Sequence, residues 1–145
     1  AVKEHLPGHD ALFMSAAVAD FRPANPVKAK IKKTTRPTLT IDLERTEDIL
    51  GSLADGTDGW QRPAIVVGFA AETEHLLEGA RHKLETKGLD LVAANAIGLD
   101  RRPFGAKRIA LTLIDRTGVT IDLPELTKEQ AAHHLLDQFL RLLPS

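Results

Sequence analysis

A chain of 145 residues, 43% of them hydrophobic, can bury one sizeable core. Its formal net charge of −1 gives no global pull toward nucleic acid or an anionic membrane surface, so any basic site must be local. The absence of cysteine excludes disulfides, thiolate ligands and a cysteine nucleophile and accords with a cytoplasmic setting, and no apolar run approaches the roughly 20 residues of a membrane helix.

In chain order, residues 1–6 read as the end of a helix closed by Pro7-Gly8. Residues 11–18 form an apolar run suited to a buried strand, ending in the small residues Ser15, Ala16 and Ala17. Residues 24–37 read as a loop or extended arm in which Lys28, Lys30 and Lys32 alternate with Ala29 and Ile31; if extended, three ammonium groups share one face. Residues 38–43 alternate and predict a strand. Thr46 is the expected cap of a short helix carrying Ile49, Leu50 and Leu53, with Glu47 and Asp48 favoured by the helix dipole.

Residues 64–69 predict a second buried strand, followed by a helix over 74–86 capped by Thr73, with Leu77, Ala80 and Leu84 as its apolar stripe. Gly88 stops that helix, and residues 89–94 form a third strand ending at Asn95, which implies a parallel crossover. Arg116-Thr117-Gly118 then joins strands 108–115 and 119–123 into a hairpin. An amphipathic helix over 126–143, capped by Thr127 or begun near Pro124, completes the chain. The predicted fold class is α/β: a mostly parallel, Rossmann-like sheet flanked by helices, with an antiparallel hairpin near the C-terminus.

Asp20 stands just past the first strand and the lysines follow it. In open α/β sheets ligands bind outside the carboxyl ends of the strands, so a carboxylate there followed by clustered lysines suggests a metal-bound polyphosphate. The same pattern also suits a core strand, an exposed turn carboxylate and a solvated basic loop. The six histidines form no metal constellation, and no HExxH, Ser-His-Asp arrangement or Walker loop is present.

Three segments in order, AAVADF-RP with KIKK, VGFAAET (67–73) and AxxKLxxKGxDxVAAN (80–95), resemble phosphopantothenate–cysteine ligase of the bacterial CTP-dependent type, over residues 15–95. The resemblance implies a coenzyme A biosynthetic ligase that joins 4′-phosphopantothenate to L-cysteine through an acyl-cytidylate, with CTP, those two substrates and Mg2+ as ligands, and a homodimer with no nucleic-acid or membrane partner. FMN is implied only if a decarboxylase is fused upstream. The residues carried over for the nucleotide are Met14, Ser15, Ala16, Asp20, Lys30, Thr46, Glu47, Asp48, Ile49, Phe69, Lys83 and Lys87; Lys30 would act on the triphosphate and acyl intermediate, and Asp20 and Asp48 would assist the metal.

Two departures stand out. Family members usually carry Asn-Pro-Asp-Ile where this chain has Thr46-Glu47-Asp48-Ile49, and the family's upstream glycine-rich loop has no counterpart. Residues 1–145 are accordingly expected to be a single domain, the C-terminal part of the ligase domain. A non-catalytic nucleotide-binding or dimerisation module cut from a larger enzyme is the alternative. An NAD(P)-dependent dehydrogenase is disfavoured, since GxGxxG is missing and the chain contains no tyrosine.

Overall fold

The computed structural model describes residues 1–32, 38–56, 59–72, 74–96 and 107–143. The chain divides into two compact units, residues 1–15 with 50–145, and residues 16–49.

The larger unit is built on a five-stranded mixed sheet flanked by helices. β1 (Ala11–Met14), β4 (Ile65–Glu72) and β5 (Leu91–Ala96) are parallel and adjacent, and β6 (Arg108–Asp115) and β7 (Thr120–Thr127) extend the sheet as an antiparallel hairpin beyond β5. The Rossmann-like mixed architecture anticipated from the sequence is therefore present. Its central strands, β4 and β5, are apolar on both faces, as strands covered on two sides must be.

One face packs on α4 (Lys128–Leu142). Ile65, Val67, Leu91, Ala93, Leu111 and Leu113 meet Ala131 and Leu135 there, and Phe13 of β1 lies 5.1 Å, centroid to centroid, from Phe139. The other face is covered by α3 (Leu76–Thr86), whose Ala80 is fully buried. α1 (Val2–His5) and α2 (Ile49–Asp55) complete the helices; Lys3 of α1 lies over the ring of the buried Trp60, 5.9 Å from its centroid.

Several boundaries differ from the sequence reading for local physical reasons. β1 stops at Met14, four residues short of the expected end, and the Ser15 N–H turns back to the Phe13 carbonyl. β7 runs through Pro124 to Thr127, because a register irregularity opposite 109–111 accommodates a proline that cannot donate to the ladder. α4 consequently starts at Lys128, where Thr127 and Gln130 form a reciprocal capping box. α3 begins at Leu76 behind His75, which adopts a left-handed conformation (φ 53°) and makes no side-chain cap bond; Leu77, placed in the stripe by periodicity, is 46% exposed. The expected Thr73 cap lies outside the described residues.

The smaller unit contains a short antiparallel pair, β2 (Phe21–Pro23) and β3 (Leu43–Arg45), in register Phe21↔Arg45. The strand predicted over 38–43 thus survives only at its last residue and shifts toward Arg45. Residues 24–32 contain no strand, so the period-two lysine face is not formed there; Lys33 and the rest of the arm to Pro37 lie outside the described residues.

Candidate functional site

The parallel strands end at one edge of the larger unit, and their unequal lengths shape it. The β1·β4 pairing finishes at Met14↔Gly68, while β4 continues to Glu72 beside β5, with Ala71 opposite Asn95. Beyond the end of β1, the Phe69 carbonyl accepts a 2.6 Å hydrogen bond from Lys83 Nζ of α3. An ammonium has three donors, and this bond uses one. A half-buried cation is thereby held where β1 leaves the sheet, with exposed Ser15 and half-buried Met14 and Phe69 also at this edge. The geometry suits an anionic group approaching the strand ends.

The two faces of this edge differ. Phe69 lies on the α4 side, partly buried against the core. By strand alternation Gly68, Ala70 and Glu72 lie on the α3 side. Gly79 of α3 provides room for the Glu72 side chain: a Cβ at Gly79 would stand 2.9 Å from Glu72 Cδ and 3.2 Å from Oε1. Glycine in a helix interior costs roughly 1 kcal/mol relative to alanine, so close approach gives it a reason to be there. Sequence reasoning passed over Glu72; the available signal was a glycine inside an otherwise sound helix pattern.

Of the residues singled out from the sequence, Met14, Ser15, Phe69, Lys83 and Lys87 belong to the larger unit, and Lys83 is the one held by a named bond at the strand ends. Lys87 follows α3 as its C-cap, and its backbone N–H bonds the carbonyls of Lys83 and Glu85. Ala16, Asp20, Lys30, Thr46, Glu47, Asp48 and Ile49 belong to the smaller unit. There the Thr46 hydroxyl donates to the Ala19 carbonyl and its N–H to the Asp20 carbonyl at 2.9 Å, so Thr46 braces the β2–β3 pair instead of capping a helix at Glu47. Asp20 and Lys30 are exposed, and Ile49 opens α2. Among the described residues, no group of three or more His, Asp or Glu is placed to hold a metal ion.

The opposite edge of the sheet carries a different network. Asp90 is 2% exposed; one carboxylate oxygen accepts from Arg62 and, at 2.7 Å, from the Val66 N–H, and the other accepts from Arg116. Arg62 also donates to the carbonyls of Pro63, Ala64 and Gly88. This cluster ties the loops before β4 and β5 to the hairpin turn after β6, which is a structural task. Among the described residues, all five glycines with positive φ (Gly8, Gly56, Gly59, Gly88 and Gly118) precede β1, precede β4 or β5, or sit in the β6–β7 turn.

Comparison with known proteins gives the family. A family model described as "DNA/pantothenate metabolism flavoprotein C-terminal domain" matches residues 1–142. The coenzyme A biosynthesis bifunctional protein CoaBC of Mycolicibacterium smegmatis is 40% identical over 152 aligned residues, covering 100% of this chain and 36% of that protein. CoaBC of Bacillus subtilis is 35% identical, covering 98% of this chain and 34% of that protein. The chain thus spans about a third of the length of these curated relatives. Among solved structures, a C-terminal domain of CoaBC superposes with a TM-score of 0.69 at 32% identity, covering 95% of this chain and 57% of that one. A DNA/pantothenate metabolism flavoprotein from Streptococcus pneumoniae gives 0.65 at 19% identity (97% and 64% covered), a likeness of fold.

These findings correct the resemblance drawn from the motifs. Coenzyme A biosynthesis recurs in the names of the relatives, but the matched family is described as a flavoprotein's, and none of these descriptions names a ligase or CTP. The expected CTP-dependent phosphopantothenate–cysteine ligase, its acyl-cytidylate, CTP as partner, Mg2+ as the companion of CTP, and the nucleotide-binding fragment offered as the alternative are therefore set aside. The flavin, expected only with a decarboxylase fused upstream, enters instead with the description of the matched family. On the extent of the family match, the chain belongs to the DNA/pantothenate metabolism flavoprotein C-terminal domain family.

Proposed function

We propose that this chain is the C-terminal part of a coenzyme A biosynthetic flavoprotein, an enzyme, and that the edge where β1, β4 and β5 end helps hold a phosphopantothenate-cysteine type compound. The observation that carries this reading is Lys83, whose ammonium is fixed on the Phe69 carbonyl just beyond β1. A ligand with a phosphate and a carboxylate can take its remaining donors. The CoaBC names of the relatives support the pathway. A further solved relative, at a TM-score of 0.60 and 20% identity, is described as the Cab2 mutant H337A in complex with phosphopantothenate-cysteine, which supplies the ligand class to test. Among the described residues no helix is long and apolar enough to cross a membrane, and together with the cysteine-free composition this supports a cytoplasmic location.

The family description also brings a flavin. Phe69, the aromatic residue at the strand ends, is partly buried against the α4 core, and the described glycines with positive φ all lie away from this edge, where His75 behind β4 is the described residue in a left-handed conformation. The described residues do not fit a flavin mononucleotide by themselves. What they are suited to do is bind and orient an anionic chain.

The test is calorimetric titration with phosphopantothenate-cysteine. Lys83→Ala should weaken binding roughly ten- to a hundredfold, the value of one charge-assisted hydrogen bond. The melting temperature should change little, because Lys83 is partly exposed and its ammonium makes one backbone bond. Equal affinity of the variant and the parent would refute this role of Lys83.

A further inference from the structure

We draw no further inference here: the strongest candidate, the exposed apolar side chains of the smaller unit on and beside the β2–β3 pair (Phe21, Leu39, Ile41 and Leu43), carries nothing, because nothing in the structure shows what covers them.

Discussion

Replacing Asp90 by Asn is expected to destabilise the fold by about 3 kcal/mol, the low end of the cost of breaking a buried ion pair. The carboxylate is held by two guanidinium groups and the Val66 N–H at the edge where β4 and β5 begin. An amide of the same shape would keep some hydrogen bonding but present an N–H to a guanidinium and leave two cations without their counter-charge. The low end applies because the arginine side chains are 34% and 51% exposed and can turn toward water. At about 3 °C per kcal/mol for a chain of this size, the melting temperature should fall by roughly 10 °C. Arg22→Ala is the control: its partner Glu44 lies 2.8 Å away, yet both side chains are largely exposed, so the loss should stay within about 0.5 kcal/mol. Equal losses in the two variants would show that Asp90 is not the clamp described.

Leu113→Ala should cost about 2–5 kcal/mol. Leu113 is 1% exposed in β6 and belongs to the cluster formed with Leu91, Ala93, Ala131 and Leu135 between the sheet and α4. Removing three carbons there leaves a cavity that strands bonded on both sides cannot collapse to fill. Leu140→Ala on α4, where the side chain is 59% exposed, should lose under 1 kcal/mol. Chemical denaturation of both variants reads the difference directly, and similar midpoints would contradict the packing of α4 on this face.

Much of the larger unit was legible because its signals are local and strong. The apolar runs of β4 and β5 and the Arg116-Thr117-Gly118 turn each left one reading, and of the two starts open for the last helix the structure takes the Thr127 cap. The smaller unit was less legible. Leu39, Ile41 and Leu43 alternate as a strand should, yet all are exposed, and pairing begins at Leu43 because Thr46 and the main chain near Asp42 tie this segment to residues 19–24. Alternation alone does not choose a partner. The site was legible in part: Lys83 was carried over from the motif resemblance, but its bond to the Phe69 carbonyl is visible only in the structure. Asp90 was not singled out from the sequence, because both its arginines come from distant parts of the chain. The motif resemblance pointed to coenzyme A biosynthesis, which the relatives' names share, while the activity attached to it was corrected by the family match.

An anionic ligand of the phosphopantothenate-cysteine class is proposed to dock where β1, β4 and β5 end. Backbone amide spectra recorded during titration with that compound address it residue by residue. The predicted result is that shifts concentrate at Met14 and Ser15, at Phe69 to Glu72, and around Lys83 and Asn95. The amides of Gly88, Asp90 and Arg116, at the opposite edge, should stay still. Shifts centred on that opposite edge, or none up to millimolar ligand, would contradict the account.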